Sequence, residues 1–230
     1  MAKPSAIGPA AVFWERPPLR EAGEPNADPI YLAVGKALSQ WERAEEGFAI
    51  LFQILIETRS EAATRAYGSI TNSAGRRQAL RSAAEVTFTE KSIVEADREE
   101  FKDLLAHFER ASSRRDDIAH GIVMHESVSG EDGKLVQPAG WLLLVPDYNT
   151  SRTFAFPQET GDVFSYRGKY RYNGLDVMIF RQKFKLLTEW VFDYNKRIGR
   201  VIDLGADAAH PDADPRSNPI LVVQSSRTAP

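Results

Sequence analysis

The ten residues Ser112-Ser113-Arg114-Arg115-Asp116-Asp117-Ile118-Ala119-His120-Gly121 gather a guanidinium, carboxylates and an imidazole in one short run. Asp116 and His120 are four apart, a spacing that places two side chains on one helix face within hydrogen-bond reach. A carboxylate on one imidazole nitrogen fixes the tautomer and leaves the other nitrogen free to move a proton. Arg115 adds a planar fork of N–H donors that suits a phosphate. Ser113 followed by Asp116 reads as a capping box that opens a brief helix after Ser112-Ser113. That start would set Arg115 at a helix N-terminus, where the backbone also favours an anion. One short helix would then supply an anion clamp and a general acid–base. The plainer alternative is a helix whose arginines make surface ion pairs and whose His120 is a packing residue.

Other chemistry-bearing residues are more scattered. Arg167, Lys169 and Arg171 interleave with Tyr166, Tyr170 and Tyr172, a basic-aromatic stripe of the kind that contacts RNA. Arg114 joins them as a candidate RNA contact. Arg76, Arg77 and Arg81 cluster on one side of a helix, where i,i+4 ion pairs on a solvated face are the ordinary use and tracking of an RNA backbone is the alternative. Trp141 and Tyr148 are able to stack on bases, although hairpin packing accounts for both. His125 falls on a strand facing solvent, with a second catalytic histidine as the alternative.

Several chemistries are excluded. The chain has no cysteine, which removes disulfides, thiolate metal sites and a thiol nucleophile, and which fits a reducing, cytoplasmic setting. There is no phosphate-binding loop, no G-x-G-x-x-G and no nucleophile elbow. The four histidines are widely spaced, so neither a metal site nor another cofactor is expected. A net charge of −3 gives no global attraction to nucleic acid or anionic lipid. No apolar run approaches the roughly 20 residues that span a bilayer, so no membrane partner is expected.

The elements that must position these residues follow from hydrophobic period. Residues 1–28, with Pro4, Pro9, Pro17, Pro18 and Pro25, read as an arm whose Val12-Phe13-Trp14 docks on the body. Asp28 as cap and Pro29 at the first helical position open a helix over residues 30–57. Its stripe includes Trp41, Phe48 and Leu51, and it is expected to pack antiparallel to its neighbours, with Gly35 and Gly47 allowing close approach. Further helices are expected over residues 61–67 (capped by Ser60), 73–88 and 92–111. The period then changes to that of strands over 121–128, 140–145 and 152–156, with a fourth between Val163 and Tyr172. A long helix returns over 175–202. The expected organisation is therefore an arm (1–28), a mainly α domain (29–204) with an antiparallel β insert at about 122–172, and a tail (205–230).

The segment Arg115-Asp116-Asp117-Ile118-Ala119-His120 resembles the R-[N/D/H]-x-x-x-H signature of the HEPN superfamily, compact helical bundles that carry this motif after a long helix. Arg115 matches the motif arginine, Asp116 the polar position and His120 the histidine. The resemblance covers about residues 30–121 and the helix from Leu175, and the β insert lies outside the common core. It implies a metal-independent endoribonuclease: His120 assists proton transfer as a ribose 2′-hydroxyl attacks the adjacent phosphate, and Arg115 stabilises charge on the phosphorane. It further implies a composite site across a homodimer axis, and a toxin or defence role beside an antitoxin partner. The alternative within the same fold is a non-catalytic nucleotide- or protein-binding module.

Overall fold

The computed structural model describes residues 7–20, 22–129, 135–145 and 170–209. After a short helix α1 (Ala10–Phe13), the main helices are α2 (Asp28–Leu55), α3 (Glu61–Gly68), α4 (Ser73–Glu90), α5 (Glu95–Ala119) and α6 (Gly174–Ala209). Between α5 and α6 the strands β1 (Ile122–Ser129), β2 (Leu135–Val145) and β3 (Tyr170–Tyr172) form an antiparallel sheet of order β1-β2-β3. Mainly helical architecture with a small antiparallel sheet before a long last helix is thus what the periods imply.

Local chemistry explains most of the boundaries. Ser60 Oγ accepts from the Ala62 amide and opens α3, and Asn72 Oδ1 accepts from Gly75 N at 2.6 Å to open α4. At the start of α6, Asn173 and Asp176 each accept from the other's backbone amide, a reciprocal cap. Helix α2 begins one residue earlier than the Asp28 cap implies, with Ala27 in the capping position. Among the strands, β2 starts at Leu135, and β3 occupies three residues of the fourth expected strand. The expected strand over 152–156 lies outside the described residues.

Axis directions follow from who meets whom. Asn195 Nδ2 of α6 donates to Gly47 O of α2 at 2.8 Å, Gly174 sits against the Pro29 carbonyl, and Gly199 faces Ile54. Helices α2 and α6 therefore run parallel. Helix α4 runs the same way, since Arg76 pairs with Glu45 and Thr87 Oγ1 donates to Leu55 O. Helix α5 opposes all three. Phe108 stacks on Trp41 and Phe48, while Asp97 near its start pairs with Arg197 late in α6 and Phe101 meets Phe88 late in α4. The antiparallel packing expected of α2 holds for α5 but not for α4 or α6. The short α3 returns the chain between α2 and α4, and the sheet lets α6 start where α5 ends.

Trp41, Phe48 and Leu51 are all at most 1 % exposed, as are Phe108 and the α6 stripe from Val177 to Ile198. Gly47 faces Val191 with no room for a side chain, which permits the α2–α6 approach; Gly35 faces open space. The arm lies along the body as a strap. Trp14 is buried, stacks on Phe184 and donates from Nε1 to His107 Nδ1 at 3.0 Å. Further along, Arg20 grips Asp176 through two hydrogen bonds, and Glu24 exchanges backbone hydrogen bonds with Trp141 at 2.8 Å. Gly140 has φ +89, and a Cβ on it would lie 2.8 Å from Glu24 O, so glycine lets arm and sheet touch.

Candidate functional site at the end of α5

The expected helix break at Ser112-Ser113 does not occur. Both hydroxyls donate back to Glu109 O, at 2.9 and 3.3 Å, and α5 continues unbroken to Ala119. A serine that satisfies itself on the carbonyl of the preceding turn is compatible with a helix interior. Burial of Ala111, Ser112 and Ile118 holds the extra turns in place. Arg115 consequently lies one turn from the C-terminus of α5, not at an N-terminus. The partial charge there is negative, so the backbone does not assist anion binding and the arginines must supply that attraction themselves.

Asp116 also has a different partner from the one expected. Its Oδ1 accepts from Arg115 Nη1 at 2.9 Å, and no side-chain hydrogen bond joins it to His120 among the described residues. His120 is the C-cap residue; its backbone amide donates to Asp116 O at 3.0 Å and its imidazole is exposed. Arg115 is half-buried, and its charge, with that of Arg76, opposes the burial that raises the pKa of Glu45 on α2. The sequence motif thus yields an Arg115–Asp116 pair at the surface and a separate His120 whose imidazole makes no hydrogen bond among the described residues.

The residues between them do something else. Asp117 is buried and accepts from Arg16 twice, Nε to Oδ2 at 2.8 Å and Nη2 to Oδ1 at 2.9 Å. Tyr172 of β3 donates its hydroxyl to Asp117 Oδ2 at 3.1 Å, and Arg114 Nε lies 3.3 Å from the same oxygen without an aligned N–H. The Arg16 guanidinium also covers the Tyr170 ring at 3.8 Å. Burial by itself lowers the pKa of Arg16, but the bonds and charge of Asp117 outweigh it and the net direction is up. Arg114 goes down because burial outweighs its share of Asp117. Burial, then Asp117, raises Tyr172 and keeps it neutral. One carboxylate therefore ties the arm, the end of α5 and β3 together.

Sequence reasoning passed over Asp117. The available signal was that His107, Arg114 and Asp117 recur at i, i+7 and i+10 beside Ala111 and Ile118 on the buried side of α5. Polar residues on an apolar stripe need partners, and the arm supplies two of them, Trp14 to His107 and Arg16 to Asp117.

The remaining candidates separate clearly. Arg114 is turned inward to Asp117 rather than toward solvent. Tyr170 and Tyr172 are used by Arg16 and Asp117, so the aromatic half of the basic-aromatic stripe is structural at these two positions. Arg171 is half-buried on β3, opposite Leu144. Arg167, Lys169, Tyr166 and Tyr148 lie outside the described residues. Arg76 pairs with Glu45 of α2 and Arg77 with Glu109 of α5, so these half-buried arginines tie helices together instead of making the i,i+4 pairs expected on a solvated face. His125 is exposed on β1 and meets Trp141 edge-on at 5.4 Å. Among the described residues no three metal-ligating side chains converge, and no helix is long and apolar enough to cross a membrane. No protein-family model, no characterised protein and no solved structure matches this chain.

Proposed function

We propose that the chain is a HEPN-like, metal-independent endoribonuclease whose reactive groups are Arg115 and His120, brought together from two copies across a homodimer axis. The observation that carries this reading is the division of labour at the end of α5. Arg114 and Asp117 lock the last two turns to the arm and the sheet, while half-buried Arg115 and exposed His120 remain at the surface. A reactive pair needs such a rigid support. In the reaction, the ribose 2′-oxygen forms a bond to phosphorus and the P–O5′ bond breaks. A neutral imidazole takes the 2′-hydroxyl proton, and the imidazolium of the second copy protonates the leaving 5′-oxygen. Arg115 holds the non-bridging phosphate oxygens. Asp116 steadies the Arg115 guanidinium rather than the imidazole. The product is a 2′,3′-cyclic phosphate, and DNA, which has no 2′-hydroxyl, is spared. On this reading the protein acts on cytoplasmic RNA, and an antitoxin partner restrains it.

One observation favours the alternative, a non-catalytic nucleotide- or protein-binding module of the same fold: Asp116 is engaged with Arg115 and does not orient His120. The same assay separates the two. Purified protein is incubated with mixed RNA in the presence of a chelator, beside His120→Ala and Arg115→Ala. Loss of the proton-transfer group is expected to cost about 10²–10⁴-fold, and Arg115→Ala a comparable amount. Equal cleavage by wild type and His120→Ala would assign the activity to a contaminant and leave the binding module in front.

A further inference from the structure

Between the arm and α6 lies a cleft of about 540 Å³, whose walls include Val12, Glu15 and Arg16 of the arm and Ile179, Phe180 and Lys183 of α6. Its size falls within the range of small-molecule sites. Two independent features set it apart. The first is apolar: Val12 and Ile179 are 66 % and 44 % exposed on its walls, large hydrophobic side chains that the fold leaves uncovered. The second is an imbalance of charge. Lys183 is half-buried, its ammonium lies 5.5 and 5.3 Å from the Phe13 and Phe180 ring centres, and no carboxylate stands within ion-pair distance among the described residues.

The neighbouring charges do not correct this imbalance. Asp176 is consumed by Arg20 and by the Asn173 amide. Asp117 is consumed by Arg16 and Tyr172, with Arg114 crowded behind it. Glu15 acts on Lys183 only through its charge. Three cations, Arg16, Arg114 and Lys183, thus face two carboxylates, Asp117 and Glu15. Consistent with a shortage of negative charge, the pKa of Lys183 is lowered by burial and by Arg114, against the pull of Glu15. Arg16 uses Nε and Nη2 on Asp117, and among the described residues its Nη1 makes no hydrogen bond.

We propose that this cleft binds a small amphipathic oxyanion. Its carboxylate or phosphate lies on Lys183 Nζ and Arg16 Nη1, and its apolar body lies on Phe180, Ile179 and Val12. A half-buried ammonium gains most from a ligand that brings an acceptor and excludes water together. The lining of the cleft includes neither Arg115 nor His120, and the proposal does not depend on the RNA-cleavage reading.

Isothermal titration with 1-naphthoate, 1-naphthyl phosphate and the neutral 1-naphthamide tests it on the full chain, for wild type, Lys183→Met and Lys183→Arg. Naphthoate or naphthyl phosphate is expected to bind, whichever is tighter identifying the head group, and naphthamide at least about tenfold more weakly. Lys183→Met is expected to weaken the anion about tenfold or more with naphthamide unchanged, and Lys183→Arg to retain most of the affinity. Naphthamide binding wild type as tightly as the anions would reduce the cleft to a greasy crevice and overturn the proposal, whether or not the variants fold. So would undiminished anion binding by Lys183→Met, or no binding of either anion at millimolar concentration.

Discussion

Replacing Asp117 by asparagine keeps the shape of the buried junction and removes its one negative charge. Arg16 and Arg114 then face an amide whose NH₂ is itself a donor, and the Tyr172 hydroxyl loses its charged acceptor. Leaving a buried charge without its partner costs about 3–5 kcal/mol. The Arg16 side chain is 24 % exposed and so partly rehydrated, whereas that of Arg114 is 11 % exposed and stays trapped; together these argue for about 3 kcal/mol, the lower end of that range. Arg16→Met is the informative comparison. It removes the bidentate bond but leaves Asp117 with Arg114 and Tyr172, so about 1.5–2 kcal/mol is expected, the lower end of the range for a charged hydrogen bond. Urea unfolding followed by circular dichroism reads both costs, and limited proteolysis reads release of the arm. Asp117→Asn should be the more destabilising, and both variants should expose the arm to cleavage near residues 15–20 before the helices unfold. An Asp117→Asn loss below about 1 kcal/mol, or one no larger than that of Arg16→Met, would refute the assignment of Asp117 as the shared counter-ion.

Leu51 is fully buried in α2, so Leu51→Ala should cost about 2–5 kcal/mol in the same urea assay; a loss under about 1 kcal/mol would place it off the core. Glu45 has a raised pKa, from burial first, with Arg76 opposing. The folded state therefore holds this proton to higher pH than the unfolded chain does, and stability drains as pH rises through the carboxylate range. Measured as wild type minus Glu45→Gln, stability should fall as pH rises above about 4, the ordinary glutamate value; a flat or rising difference would contradict the burial-dominated shift. Sedimentation equilibrium checks the composite ribonuclease site: a monomer at micromolar concentration that still cleaves RNA would exclude the two-copy arrangement.

Much of this architecture was legible in the amino-acid order. The stripes of α2 and α6, the Ser60 cap, the change of period at Gly121 and the docking of Trp14 all depend on short-range geometry or on plain hydrophobicity. Such features look the same in the sequence whatever surrounds them. Three things needed the tertiary structure. Helix period tells which face is buried but not which way the axis points, so the parallel run of α2, α4 and α6 came from contacts such as Asn195 to Gly47 and Arg76 to Glu45. Ser113 with Asp116 fits a helix start and a helix interior equally well, because a serine hydroxyl is able to bond forward to an amide or back to a carbonyl; packing of Ala111 and Ile118 chose the interior. Asp117 and Arg16 are 101 positions apart. No local pattern couples residues so distant, and it is the strap's route across α5 that separates the anchoring pair, Arg114 and Asp117, from the solvent-facing Arg115 and His120.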